Sequence, residues 1–338
     1  MEYDGLGMEA GMEKIKVSVM FPCDLAQKEM LENAGKDRCE FTYVDPGMTR
    51  EERFPLLQNA EIIFGQPGIR EVQRCPRLRW IQMSWAGSDV YTMREGFPQK
   101  VKVTNAKGGF QVVIPEYIMA VLLELCRSLK TYAYQQKEGR WHPLGSETLL
   151  FGKRVLILGA GDIGTGVAKR LKAFETTVIG MRRTDRNYPD CYDGMITVDE
   201  LDRELAGADV VIGCLPGTKE TEGLLDERRL RLMKEQAFLV NIGRGSLIDT
   251  DALVRVLKEG HLGGVALDVV APEPLPSDHP LWKMDKVILT PHIAGMSFGY
   301  SKDTENRIMH ICCQNLERYL EGRELINLVN FETGYVSE

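Results

Sequence analysis

The sequence predicts an α/β protein made of two doubly wound domains, each built on a parallel sheet. Three observations predict it. Short β-type runs alternate with helical stretches in two successive series, the pattern of strands linked by crossover helices. A glycine-rich turn lies between an apolar strand and a helix in the second series. The chain of 338 residues is also of a length typical for two domains rather than one.

The first series reads strand Lys14–Phe21, helix Leu25–Gly35 and strand Cys39–Asp45. A helical stretch Arg50–Ala60 follows, broken by Pro55, and then strands Glu61–Gly65, Leu78–Trp85 and Lys100–Ala106. One long apolar helix is expected from Val112 to Glu138, then a loop with Trp141, Pro143 and Gly145. The second series begins with strand Lys153–Gly159 and helix Ile163–Phe174. It continues with strand Thr176–Gly180, helix Val198–Leu205, strand Ala208–Leu215, helix Glu227–Met233 and strand Ala237–Gly243. Helix Asp249–Gly260 and strands Gly263–Val270 and Lys286–Thr290 complete it, and a helix over Tyr300–Leu320 closes the chain.

Composition removes several classes of function. The formal net charge is −7 and no Lys/Arg run stands out, so a nucleic-acid partner is not expected, because phosphate binding needs a concentrated basic face. The most apolar stretch, Val112–Cys126, carries Glu116 and Glu124 and reads as a buried helix rather than a membrane span. Eight scattered cysteines include no C-x-x-C pair and no histidine at metal-ligand spacing, which points to reduced thiols of a cytoplasmic protein without a metal site. The acidic, Gly- and Met-rich residues 1–13 read as a leader before the first strand, lacking the basic and apolar regions of a secretory signal.

The turn itself is Gly159-Ala160-Gly161-Asp162-Ile163-Gly164. In a G-x-G-x-x-G after a strand, the first glycine permits a tight turn and the second lets the backbone approach a pyrophosphate. The third lets helix and strand pack closely, and the helix N-terminus offers N–H groups to the phosphates. Asp162 and Ile163 belong to the same cradle. At the end of the next strand, where a carboxylate would take the ribose 2′-hydroxyl of NAD, stand Arg182, Arg183 and Thr184. Guanidinium groups suit a 2′-phosphate, so NADP(H) is the preferred cofactor. NAD(H) stays open if the arginines are solvated charges and Asp185 takes the ribose.

Three further residues follow strands of the same sheet. Arg244 lies within N-I-G-R-G, Glu273 lies in A-P-E-P-L, and His292 lies in T-P-H-I-A-G. Ligands of open α/β sheets bind at the carboxyl ends of the strands, so all three point to one crevice. Reduction of a 2-keto acid needs a hydride, a proton for the carbonyl oxygen and a cation for the carboxylate. Arg244 would bind the carboxylate, His292 would act as acid or base, and Glu273 would favour its charged form.

The motifs G-A-G-D-I-G, L-P-G-T-K-E-T-E-G-L, V-N-I-G-R-G-S-L-I-D, A-L-D-V-V-A-P-E-P-L-P and T-P-H-I-A-G occur in that order. Through them the chain resembles the D-isomer-specific 2-hydroxyacid dehydrogenase family from about Lys14 to Asn330, and most of all the glyoxylate/hydroxypyruvate reductases. The resemblance implies a Rossmann cofactor domain, residues 107–296, inserted into a flavodoxin-like substrate domain formed by 1–106 and 297–338. It implies that the N–H groups of Ala86 and Gly87 hold substrate, although Ser88 stands where a small apolar residue is common. Leu215, Pro216, Thr221, Ile242, Gly243 and Ala294 would line the cofactor, with Asp268 on its carboxamide. Asp268 could instead only cap a strand end, and Pro216 could only shape a loop. Relatives pair through the cofactor domain and its long helix, so a homodimer is expected, with Trp141 either reaching toward the partner or covering a hinge.

The primary reading is therefore reduction of glyoxylate, hydroxypyruvate or a similar small 2-keto acid. A larger, ketopantoate-like substrate and a phosphoglycerate-type dehydrogenase are the alternatives within the family. Formate dehydrogenases pair their histidine with Gln, not the Glu found here. A dinucleotide-sensing corepressor shares the fold but adds interaction tails not seen in this chain.

Overall fold

The computed structural model describes residues 13–183 and 187–336, arranged as two compact units. Unit 1 comprises residues up to Ala106, Glu305–Asn330 and Val336 onward; unit 2 comprises Lys107–Thr304 and Phe331–Tyr335. The chain thus re-enters unit 1 at Glu305 rather than at 297, and a short piece near its end belongs to unit 2.

Unit 1 contains β1 (Ile15–Val19), α1 (Leu25–Gly35), β2 (Cys39–Tyr43), α2 (Arg50–Leu57), β3 (Ile62–Phe64), α3 (Ile69–Gln73), β4 (Trp80–Gln82), α4 (Asp89–Thr92) and β5 (Lys102–Thr104). Its sheet runs β2-β1-β3-β4-β5, wholly parallel. That is the flavodoxin-like order, with the topological switch between β1 and β3. Sequence signals start its helices. The Asp24 carboxylate accepts from Gln27 N at 2.8 Å while the Gln27 side chain accepts from Asp24 N at 3.1 Å, a reciprocal cap on α1. Thr49 and Glu52 cap α2 in the same way. The expected break at Pro55 does not occur: α2 runs through it to Leu57. The capped first turn and the fully buried Leu57 anchor both ends of the helix, so the missing proline N–H is tolerated between them. The strands are shorter than the apolar runs that foretold them.

Unit 2 contains α5 (Val113–Arg127), α6 (Leu129–Lys137), β6 (Arg154–Leu158), α7 (Asp162–Leu171), β7 (Thr177–Met181), β8 (Gly194–Ile196), α8 (Leu201–Gly207), β9 (Val210–Gly213), α9 (Glu227–Leu232), β10 (Phe238–Asn241), α10 (Thr250–Lys258), β11 (Gly264–Leu267) and β12 (Val287–Leu289). Its sheet order is β12-β11-β10-β9-β6-β7-β8, again all parallel. Counted from β6 this is the 3-2-1-4-5-6 Rossmann order with one further strand. The strands are buried along almost their whole length (Val155, Ile157, Leu158, Val178, Val211, Ile212, Leu239 and Val265 are fully buried), as expected for a sheet covered on both faces.

The single long helix expected over 112–138 is two helices. Ser128 adopts φ 53°, ψ 35° and separates α5 from α6. The Glu124 carboxylate accepts the Lys130 N–H at 2.7 Å, supplying the partner that a continuous helix would have provided at the break. Among the described residues no helix is long and apolar enough to cross a membrane, and no group of three or more His, Cys, Asp or Glu could hold a metal ion.

The final helix, α11 (Lys302–Leu320), belongs to unit 1 from Glu305 onward and buries Ile308, Met309, Cys312 and Leu316 completely. Asn315, also fully buried, donates to Gln82 Oε1 at 2.8 Å and to Ile326 O at 3.0 Å and accepts from Ile326 N at 2.8 Å. Replacing Asn315 with Ala removes a partner of Gln82 Oε1 and the partner of the half-buried Ile326 N–H, so a loss of about 1–3 kcal/mol is expected. Urea unfolding followed by the fluorescence of buried Trp80 measures it; an unchanged midpoint would contradict the role given to Asn315.

Candidate active site

The glycine turn joins β6 to α7 at the switch point between β6 and β9. Gly159 has φ +104°, and a Cβ there would stand 2.9 Å from the Cys214 carbonyl at the end of β9; only glycine fits. A Cβ on Gly164 would meet Gly159 O at 2.3 Å, whereas one on Gly161 would meet nothing within 4 Å. The first and third glycines are therefore required by the fold. The second faces open space, the side from which a diphosphate would approach. Gly159 N and Ala160 N both donate to Met181 O at 3.0 and 2.9 Å, fixing the turn against β7. The first N–H that closes a helical turn is Thr165 N, on Gly161 O at 2.9 Å, so the amides of Asp162, Ile163 and Gly164 precede the helical ladder at the positive end of α7. The Asp162 carboxylate turns away to accept from Gly108 N at 3.1 Å, and burial raises its pKa. These features fit a nicotinamide dinucleotide.

At the end of β7, Met181 is buried and Arg183 is exposed. Arg182 N donates to Ile196 O of β8 at 3.1 Å. The Arg183 guanidinium carbon lies 4.3 Å from the centroid of the Tyr335 ring. Thr184 and Asp185 lie outside the described residues. Beyond β9, Leu215 is buried and the Thr221 hydroxyl closes its own loop, donating to Pro216 O at 2.7 Å and accepting from Thr218 N at 3.0 Å.

β10, β11 and β12 are sheet neighbours, and each sends one of the expected residues off its carboxyl end. Adjacent strands lie about 4.8 Å apart, so the three ends fall within roughly 10 Å. After β10, buried Ile242 donates to Gly213 O at 3.0 Å. Asn241, fully buried, accepts from Gly243 N at 3.2 Å and donates to Arg244 O at 2.9 Å. Asn241, a residue of N-I-G-R-G with no local signal of its own, is the side chain that shapes the Arg244 turn. Arg244 itself donates to Gly243 O at 2.7 Å.

After β12, the His292 Nδ1 lies 2.7 Å from Glu273 Oε1. With a carboxylate as its acceptor, Nδ1 carries the proton and Nε2 is the nitrogen left for exchange. Both side chains are close to half exposed, 47% and 42%. An ion pair so open to water stabilises a fold by only about 0–1 kcal/mol, so ring orientation is its main physical consequence.

Asp268 organises the turn that carries His292. Only 3% exposed, it accepts from Thr290 Oγ1 at 2.6 Å, Ile293 N at 2.8 Å and Ala294 N at 2.9 Å. Its own carbonyl takes His292 N at 2.8 Å. Because Thr290 gives its proton to Asp268, the Tyr117 hydroxyl, 2.6 Å away, donates to Thr290. Burial pushes the Tyr117 pKa up to about 12, which keeps it a donor. Tyr117, in an apolar helix, carried no sequence signal for this part. In unit 1, Ala86 and Gly87 follow the carboxyl end of β4. The Asn105 side chain donates to Ala86 O at 2.6 Å, and Ser88 is buried.

Known proteins resemble this chain in sequence and in fold. The family model described as "D-isomer specific 2-hydroxyacid dehydrogenase, NAD binding domain" matches residues 119–294, just over half the chain. A glyoxylate reductase of Thermofilum pendens is 34% identical over 264 residues, 76% of each chain. The solved structure of a D-isomer specific 2-hydroxyacid dehydrogenase family protein from Aeromonas salmonicida superposes with TM-score 0.83 at 30% identity, covering 94% of this chain and all of that one. A dehydrogenase of the same description from Xanthobacter autotrophicus, solved with NADPH and MES, has TM-score 0.79 at 26% identity over 96% of this chain and all of its own. The chain belongs to the D-isomer specific 2-hydroxyacid dehydrogenase family and is an oxidoreductase of that type, with a nicotinamide dinucleotide as cofactor.

The glycines separate binding from folding. Gly161→Ala is expected to leave the thermal midpoint unchanged but weaken dinucleotide binding. Gly164→Ala is expected to lower the midpoint by a few degrees, through an overpacking cost of about 1–3 kcal/mol. Calorimetric unfolding and cofactor titration of the two variants check this; equal midpoints would refute it.

Proposed function

We propose that this chain reduces a small 2-keto acid of the glyoxylate or hydroxypyruvate type to the D-2-hydroxy acid, with NADPH preferred over NADH. The observation that carries the proposal is the His292–Glu273 pair at 2.7 Å, on the strand edge that also bears Arg244 and the glycine turn. The dinucleotide, when bound, supplies the hydride. Arg244 binds the substrate carboxylate with its planar fork and polarises the neighbouring carbonyl. His292 gives a proton from Nε2 to the carbonyl oxygen during reduction and takes one back in the reverse direction. Glu273 holds the ring by Nδ1 and balances the charge of the imidazolium.

Support for the cofactor preference comes from two adjacent arginines at the end of β7, whose guanidinium groups match a 2′-phosphate in charge and shape. Ile242, Gly243, Leu215, Pro216 and Ala294 line the cofactor in this reading. Asp268 has lone pairs enough to meet a carboxamide while keeping its loop. Thr221 acts by closing its loop rather than by direct contact.

Steady-state kinetics over a panel of 2-keto acids with both cofactors tests the proposal. Turnover is expected with the smallest acids and NADPH, and His292→Ala is expected to lower it by about two to four orders of magnitude. No oxidation of either cofactor across the panel, or near-normal rates without His292, would defeat it. A homodimer through the cofactor unit is part of the same reading. Leu129, Trp141, Leu149 and Phe151 are all exposed between α5 and β6, Trp141 fully so, and apolar surface of this kind favours association. Sedimentation velocity is expected to give twice the chain mass and Trp141→Ser to weaken the dimer; a monomer at micromolar concentration would count against it.

A further inference from the structure

We propose that the C-terminal segment Phe331–Tyr335 completes the dinucleotide site, with the Tyr335 ring serving as the platform that holds Arg183 for a 2′-phosphate. The inference rests on the reading above that Arg183 meets that phosphate. Three observations carry it. The segment belongs to the cofactor unit, although the residues before and after it belong to the other. The Arg183 guanidinium carbon sits 4.3 Å over the Tyr335 ring. The Tyr335 hydroxyl faces the side chain of Thr218, near enough for that side chain to lower its pKa.

The positions of these two partners matter. Arg183 follows β7 and Thr218 follows β9, while β6, which carries the glycine turn, lies between those strands. One tyrosine therefore touches the loops on both sides of the phosphate-binding turn, about 10 Å apart by strand spacing. The adenosine half of a dinucleotide on that turn falls between the same loops.

Chemistry supports the pairing. An exposed arginine on a loop samples many rotamers, and fixing it for a ligand has an entropic cost. Stacking engages the face of the guanidinium plane and leaves its edge as the hydrogen-bonding fork. The same side chain can thus lie on a ring and grip a phosphate. Burial raises the Tyr335 pKa and Glu220 adds to the rise, against opposing pulls from Arg183 and Thr218. The ring is a neutral phenol at neutral pH and sets no charge of its own against the phosphate. No local pattern connects the partners, which stand far apart in the sequence.

Calorimetric titration of the full-length protein with adenosine 2′,5′-bisphosphate and with 5′-AMP isolates the 2′-phosphate. Tyr335→Ala is expected to weaken the bisphosphate roughly two- to fivefold, with 5′-AMP affinity unchanged, and Tyr335→Phe to retain wild-type discrimination. Equal weakening of both probes, or none, while Arg183→Ala does reduce discrimination, would overturn the role of Tyr335 and leave that of Arg183 standing. If Arg183→Ala leaves discrimination intact, the 2′-phosphate reading itself fails, and this inference fails with it.

Discussion

The carboxylate of Asp268 gathers three donors from the turn beyond β12, and the main chain of the same residue takes a fourth from His292. A buried carboxylate without partners is prohibitively costly; with three, each contributes on the order of 1.5–3 kcal/mol. That sum offsets the backbone of His292, which at φ 57° lies in the left-handed region, a conformation costing roughly 1–3 kcal/mol for a residue with a side chain. The turn that carries His292 is thus held by hydrogen bonds to Asp268, and the nearby Glu273 orients the ring. Tyr117 and Thr290 extend the arrangement into α5, so a helix on the face of the sheet steadies a turn at its edge.

Both sheets are entirely parallel. Every strand therefore ends on the same edge as its neighbours, and every loop leaving those ends becomes available to one ligand. Within unit 2 the edge divides by strand: β6, β7 and β9 bear the glycine turn and its flanking loops, while β10, β11 and β12 bear Arg244, Glu273 and His292.

Much of this was legible from residue order. The two α/β series, the glycine turn and the three polar residues after the last strands were each announced by local patterns, because a strand end followed by glycine or by an isolated charge is a local event. What escaped was decided at a distance. Ser128 is not a strong helix breaker, and the division of α5 from α6 depends on Glu124 meeting a backbone amide six residues on. Pro55 is a strong breaker, yet a capping box and one buried leucine hold α2 through it. β8 consists of only Gly194, Met195 and Ile196, too short for any periodicity. Tyr117 and Tyr335 act through partners that no spacing rule connects to them.

The contrast between Met181, 5% exposed, and the exposed Arg183 two positions later marks where the fold's demands stop. Substitutions at such exposed positions usually change stability by no more than about 0.5 kcal/mol, whereas a methyl group on Gly164 collides with the main chain. Charge at the tip of β7 can accordingly be gained, lost or reversed in single mutational steps while every intermediate remains folded. Over evolutionary time, whatever discrimination between dinucleotides resides there is a trait that descendants can alter, and the glycine turn is an inheritance they must keep.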